Sequence, residues 1–409
     1  MKVPEKYKFI IELGKALHVY GIPSYKIQSY LTEVATKKGI TASFMDLPTW
    51  INYAFYENEK SYNYIECIPP GYLNLGAFSR IAELMNKVID SKIDDEAITG
   101  ELNSIHAKTK IINHYYLTLS YAFSAGCFSL LIGTNWISFG VSLFLGSLIY
   151  LLVYLATKSK YLENIFESFS ALIATTISCL LTLIFPDLNL GLTILSSIII
   201  FIPGLAITTA LEEITSKSLV SGGAKLFDAV ILLFKLFFGV LLGLGLMSSL
   251  IDIDLTNHAS EIPRWILFLA VPLLSITLLP IFQVRKKDMI FGVITGAFAF
   301  FITVLLSGYG VLVSTFIGTL AIVGISRLFG GISKTPKTVF LTQGIIMLVP
   351  GSKSFMGLSS SFLNSSITGS TNLFEQVVFI LMGIIGGLLF AGTFRERKSK
   401  KPAIISRNI

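Results

Sequence analysis

From about residue 115 onward the chain is a succession of apolar stretches, and no other feature limits its folds as much. They lie near 115–134, 137–156, 166–185, 190–206, 227–250, 264–283, 288–307, 310–329, 338–350 and 373–392. Most hold about 20 residues, enough for a helix to cross a bilayer core of about 30 Å at about 1.5 Å per residue. In lipid every backbone polar group needs a partner from within the protein, so runs of this length predict transmembrane helices. Only 14% of the residues are charged, against about a quarter in soluble proteins. The expectation is a membrane all-α fold with ten transmembrane helices behind an N-terminal soluble α+β domain.

Charge patterning sets the orientation independently of hydropathy. Residues 1–113 carry 13 Lys and Arg against 13 Asp and Glu, so the net +7 comes from the remainder. With the N-terminus in the cytoplasm, ten crossings place sixteen basic residues inside and two, Arg264 and Lys353, outside. The outer loop IDIDLTNHASEIP is acidic. Inward bias of Lys and Arg is the usual topological signal in membrane proteins, and it accounts for the basic balance without nucleic acid. Both termini are expected in the cytoplasm, with a basic tail over 395–409.

Residues 1–113 have a different character. Ile10, Leu13, Leu17 and Val19 lie near helical spacing before the break at Gly21 and Pro23. A second helix is predicted over about 24–38. β-like stretches fill about 40–68 up to the Pro69-Pro70-Gly71 turn, and two helices follow near 75–90 and 94–110. The first residues read as an amphipathic helix, not as a cleavable leader.

The apolar part repeats. At a constant offset of 147 residues Pro203-Gly204 falls on Pro350-Gly351, Gly222 on Gly369, Leu226-Phe227-Asp228 on Leu373-Phe374-Glu375, and Gly239 on Gly386. Two halves of five spans each, 114–260 and 261–394, have opposite orientation because five is odd. Two inverted five-helix repeats are a common build of secondary transporters, whose substrate sites lie between the repeats.

Both fourth spans run into a proline-glycine pair. Proline removes an N–H and clashes with the preceding turn. From Thr338 to Val349 only about 18 Å of helix is available. Each is read as a helix broken inside the membrane, with the resumed half-helix presenting free N–H groups to a substrate carboxylate. The candidate substrate-binding residues are Pro203, Gly204, Thr208, Thr209, Pro350, Gly351, Ser352 and Ser354, with Gln343 two turns before the second break. Lys235 stands inside an apolar run, seven residues from Asp228 on the same helical face. It is a candidate substrate or coupling charge, or a side chain reaching to the interface. Glu167, Glu212, Glu213, Asp228 and Glu375 are the candidate proton carriers, or else helix-terminal charges. The GxxxG spacings Gly239–Gly243 and Gly292–Gly296 suit close helix packing.

The cysteines Cys67, Cys127 and Cys179 and the four histidines show no ligand spacing, so no metal and no cofactor is expected. Phosphate-loop, HExxH and GxSxG motifs are absent, and no enzyme is read from the sequence.

The segment IPGLAITTALEEITSKSLVSGGAKLFDAVI resembles the threonine/serine exporter family, which pairs such a proline-glycine with an acidic residue (Glu213), a V-S-G (Val220, Ser221, Gly222), a basic residue (Lys225) and a further acidic one (Asp228). LVPGSKSF resembles the family's smaller C-terminal module, and LGKALHVYGIPSYKIQSYLTEVATKKGI its opening helices. Glu66 and Cys67 depart from the basic residue common in the family near that turn. The resemblance implies a proton-driven exporter of threonine, serine or a similar solute in the plasma (bacterial inner) membrane, its partners being the small amino acid or organic acid and the lipid bilayer. Homo-oligomerisation is compatible with this. The family's split two-subunit members make a dicarboxylate exporter the alternative, with Lys225, Lys235 and Lys353 placed to neutralise a second carboxylate. A membrane-anchored ligand sensor is the rival from another class.

Overall fold

The computed structural model describes residues 4–57, 60–90, 93, 95–109, 113–253, 262–348 and 373–393. The chain opens with α1 (Glu5–Val19) and α2 (Ser24–Lys37), then strands β1 (Thr41–Leu47), β2 (Trp50–Glu57) and β3 (Lys60–Cys67), then α3 (Leu75–Ile89) and α4 (Asp95–Thr109). The strands form one antiparallel sheet in the order β1-β2-β3, with Phe44 opposite Tyr53 and Tyr53 opposite Tyr64. Alternation along β2 buries Ile51, Tyr53 and Phe55 against the helices. Tyr7 of α1 stacks on Phe55 with ring centroids 4.1 Å apart. Leu13 and Leu17 of α1, Leu31 of α2 and Phe78 of α3 complete this core.

Two glycines set the path between α1 and α2. Gly21 has φ +71°, a region that L side chains rarely adopt. At Gly71 a Cβ would lie 1.9 Å from the His18 carbonyl, so only glycine lets the Pro69-Pro70-Gly71 turn press onto the end of α1.

Apolar helices follow: α5 (His114–Leu131), α6 (Trp136–Ala156), α7 (Lys160–Thr182), α8 (Leu190–Ser197), α9 (Gly204–Thr215), α10 (Leu219–Ser248), α11 (Leu267–Ile281), α12 (Met289–Leu305), α13 (Val311–Ser333), α14 (Lys337–Leu348) and α15 (Leu373–Thr393). Among the described residues six helices are long and apolar enough to cross a membrane, or seven when the broken pair α8–α9 is one span. Of the other apolar stretches, α5 has 18 residues but is less apolar, and α11 and α14 are shorter, with 15 and 12 residues. Large apolar side chains such as Phe144, Phe227, Phe238, Phe268 and Phe390 face outward, as expected where lipid is the solvent.

Glycines allow the closest helix approaches. On α10 a Cβ at Gly239 would lie 2.2 Å from the Ser168 carbonyl of α7, and one at Gly243 would lie 2.8 Å from Thr175 Cβ. On α15 a Cβ at Gly387 would lie 2.6 Å from Thr319 Cβ of α13, and one at Gly383 would lie 3.0 Å from the Leu312 carbonyl. Backbones this close gain dispersion contacts without an apolar driving force, the usual basis of helix association in lipid.

The N-terminal core is continuous with the membrane helices. Leu279 at the end of α11, Val284 beyond it and Val339 of α14 belong to the same buried cluster as α1–α3.

Candidate functional site

The break that follows α8 is a bend of 54°. The bend falls at Ile198, and the second arm opens with a short 3-10 turn, Ile199–Phe201, before Pro203 and the first residue of α9. A proline here removes the donor that would continue the ladder. The second proline-glycine pair, with Pro350, Gly351, Ser352 and Ser354, lies outside the described residues, as does Lys353.

A cavity of about 500 Å³ opens at this break. Ile199, Ile200, Ile202, Gly204 and Leu205 line it from the first break, and Ile346, Met347 and Leu348 line it from the end of α14. Ser124 of α5, Thr303 of α12, Ser307, and Ser314 and Thr315 of α13 add hydroxyls to an otherwise apolar wall. The cavity therefore sits between the two halves, and its described lining contains no charged side chain. Ser124 Oγ and Thr277 Oγ1 lie 2.7 Å apart and join α5 to α11 beside it.

Several expected site residues take other positions. The hydroxyl of Thr208 donates to the Gly204 carbonyl at 3.1 Å, and that of Thr209 to the Leu205 and Ala206 carbonyls at 3.0 Å. Neither residue lines the cavity. Gln343 is buried, its Oε1 filling the space that Gly292 leaves open, and its Nε2 has no hydrogen-bond partner among the described residues. Asp228 and Glu375 are exposed. Lys235 pairs with Glu167 across α7 and α10, Nζ to Oε2 at 3.5 Å, rather than with Asp228.

The second concentration of polar groups is where α1, α2 and β1 meet α9 and α10. Glu213 is fully buried. Its Oε1 accepts from the Ser24 backbone N–H at 2.9 Å and from Lys225 Nζ at 2.5 Å, and its Oε2 accepts from the Ser221 hydroxyl at 2.8 Å. Ser24 Oγ lies 2.6 Å from Ser221 Oγ and 2.6 Å from Asp46 Oδ2. His18 Nδ1 lies 2.7 Å from Asp46 Oδ1. Glu212, one residue back, accepts from the Tyr25 hydroxyl and from Lys26 Nζ at 3.4 Å. Burial foremost, and then the Glu212 carboxylate, pushes the Tyr25 phenol far above its usual range, which keeps it a donor. A buried carboxylate is tolerable only when fully hydrogen-bonded, and Glu213 meets that condition.

A further contact ties the N-terminal unit to the segment between α11 and α12. The Leu75 N–H donates to the Phe282 carbonyl at 3.0 Å, and Asn74 Nδ2 donates to Gln283 Oε1 at 2.8 Å. Glu83 pairs with Arg285 and Lys287, both at 2.8 Å. Arg285 also bonds the buried Asp288 at 2.9 Å, and Asp288 accepts from Thr335 at 2.7 Å. Sequence reasoning singles out Glu212 and Glu213 but passes over His18, Ser24, Asp46, Glu83 and Asp288. These five join elements far apart in the chain, and no local spacing marks such partners.

A bundle of apolar helices, closely packed through glycine and enclosing a cavity at a helix break, is that of a multi-pass membrane protein. The family described as a putative threonine/serine exporter matches residues 8–247, and that described as Threonine/Serine exporter, ThrE, matches residues 267–394. The chain belongs to the threonine/serine exporter family and carries both modules.

It is similar to the pheromone-regulated membrane protein 10 of Eremothecium gossypii, 26% identical over 383 residues, which is 90% of this chain and 51% of that protein. The protein of the same name from Kluyveromyces lactis is 26% identical over 296 residues, 70% of this chain and 31% of that one. An uncharacterized protein of Schizosaccharomyces pombe is 25% identical over 304 residues, 69% of this chain and 39% of that one. The chain thus spans about half the length, or less, of these curated relatives. No solved structure matches it.

Proposed function

We propose that the chain is a secondary carrier that exports small polar amino acids of the threonine and serine type, driven by the proton motive force. The observation that carries this reading is the cavity of about 500 Å³ bounded by the broken helix of the first half and the end of α14 in the second. Its size suits a small solute with water, and a mostly apolar wall with a few placed polar groups is the usual form of a small-molecule site. The first turn of α9 offers N–H groups and a positive dipole end to a carboxylate. The hydroxyls of Thr303, Ser314 and Thr315 donate to carbonyls of their own helices and Ser124 pairs with Thr277, and with Ser307 their oxygens keep lone pairs that can accept from an ammonium or a hydroxyl group of the cargo.

On this reading the chain crosses the membrane ten times as two inverted halves, with both termini in the cytoplasm of a bacterial-type inner membrane. The paired glycine approaches support it. Gly239 and Gly243 bring α10 onto α7, and Gly383 and Gly387 bring α15 onto α13, so the helices that the offset of 147 residues pairs pack alike, though through glycines at different positions. Lys225 and Lys235 already have carboxylate partners, Glu213 and Glu167, which favours a zwitterion over a dicarboxylate as cargo. The N-terminal unit, held to α9–α10 and to the segment after α11, gates the cytoplasmic mouth.

The test is efflux of labelled threonine from preloaded proteoliposomes, with and without an imposed pH gradient, beside labelled succinate. Threonine efflux that responds to the gradient supports the proposal. Succinate efflux alone changes the substrate class, and movement of neither solute contradicts the carrier.

A further inference from the structure

The seam between the N-terminal unit and α9–α10 holds a line of four oxygens: Asp46 Oδ2, Ser24 Oγ, Ser221 Oγ and Glu213 Oε2. The successive separations are 2.6, 2.6 and 2.8 Å. All four residues are at least 97% buried. Each of these distances is that of an O–H···O hydrogen bond, which requires a proton between the oxygens. A serine hydroxyl supplies one proton, and an ionised carboxylate supplies none. Two serines therefore supply two protons for three contacts. With both carboxylates ionised, Ser24 donates to Asp46 and Ser221 to Glu213, which leaves the two hydroxyl oxygens 2.6 Å apart with nothing between them. One more proton on either carboxyl group completes the line.

We propose that Asp46 and Glu213 share one proton through Ser24 and Ser221. The seam is then the proton-holding site of the carrier. Its part in transport rests on the carrier reading above, but the shared proton does not.

The surroundings give the line a resting direction. Glu213 also accepts from the Ser24 N–H and from Lys225, which favours its ionised form, so the proton rests on Asp46 Oδ2. Ser24 then donates to Ser221, and Ser221 to Glu213. The remaining titratable or charged neighbours are His18 of α1, whose Nδ1 lies 2.7 Å from Asp46 Oδ1 and must be the donor once Asp46 Oδ2 carries the proton, Tyr53 of β2 near Asp46, and Tyr25, Lys26 and Glu212 at the far end. Transfer along the line balances. The Asp46 O–H bond breaks as Ser24 takes that proton, Ser24 passes its own to Ser221, and Ser221 passes its own to Glu213 Oε2. The negative charge moves from Glu213 to Asp46, so the proton crosses from the N-terminal unit to the helix that follows the break. His18 Nε2, buried and without a hydrogen-bond partner among the described residues, marks the soluble end of the route.

The test is infrared spectroscopy of the full chain in liposomes at neutral pH, comparing the wild type with Asp46→Asn and Glu213→Gln. The expected result is a C=O stretch of a protonated carboxylic acid in the wild type that Asp46→Asn removes. Asp46→Asn should also stay folded, because the amide donates to Ser24 as the protonated acid does. A wild-type spectrum without the band overturns the proposal. So does a band that survives in both variants, or an Asp46→Asn protein that no longer folds while Glu213→Gln does. The band is read without substrate, so its absence counts against the shared proton whether or not threonine moves. Failed transport with the band intact counts against the carrier reading alone.

Discussion

Lys235 Nζ on α10 lies 3.5 Å from Glu167 Oε2 on α7, and this pair ties two helices together within the apolar bundle. The lysine is 42% exposed and the glutamate 22%, so the pair sits at the margin of the protein. A lone charge near lipid is costly, and a paired one much less so. The partner, not the depth alone, explains why a lysine is tolerated there.

If the pair is structural, Lys235→Met alone strands Glu167 and lowers stability by about 1 kcal/mol. The double variant Lys235→Met, Glu167→Gln recovers that loss, and gradient-driven efflux recovers with it. Thermal unfolding of the two variants and the wild type forms the cycle. Efflux that stays absent in the stable double variant would show that Lys235 itself handles the cargo or the proton.

The contact of α3 with the segment after α11 should depend on pH through Glu83. Burial pushes this carboxyl up, but its bonds to Arg285 and Lys287 outweigh burial and hold it below the usual carboxylate range. A folded-state value below the unfolded value means stability that is present above the unfolded value of about 4.3 and lost as pH falls through the folded one. The wild type should therefore unfold at a higher temperature than Glu83→Gln at neutral pH. The gap should close as the buffer is taken below the ordinary carboxylate range.

The glycines of α10 and α15 should differ in their tolerance of alanine, even where the offset of 147 residues aligns them, as it does Gly239 and Gly386. A Cβ at Gly239 would lie 2.2 Å from a carbonyl oxygen, and one at Gly387 would lie 2.6 Å from Thr319 Cβ. Gly386, which that offset sets against Gly239, meets only the Phe316 ring, at 3.4 Å. Gly239→Ala and Gly387→Ala are each expected to cost about 1–3 kcal/mol by forcing helices apart, and Gly386→Ala to be near neutral. Detergent-solubilised variants compared by thermal unfolding will separate the two classes.

Much of the fold is legible in the sequence because apolar runs and breakers act locally. Gly21 and Pro23 separate α1 from α2, the β-like stretch before Pro69-Pro70-Gly71 gives the three strands, and Pro203-Gly204 marks where α9 begins. The shared core of Leu279, Val284 and Val339 with α1–α3 is not legible, since no local pattern states which surface a helix end will meet. At the candidate site the sequence marks Gly204, which lines the cavity, and Glu213, which anchors the polar seam. It also marks Thr208 and Thr209, but hydroxyls on a helix readily bond carbonyls of their own preceding turn, as both do here. Lys235 and Asp228 share a helical face, yet the neighbour that decides the lysine's partner, Glu167, comes from another helix.

If the cavity between the two helix ends is the path of the cargo, filling it blocks transport. Ser314 lines the cavity and is 5% exposed. Efflux of labelled threonine would be measured from proteoliposomes holding wild type or Ser314→Trp, at equal amounts of protein with matched thermal unfolding. Gradient-driven efflux is expected from the wild type and its loss in Ser314→Trp. Efflux from Ser314→Trp at the wild-type rate would contradict it.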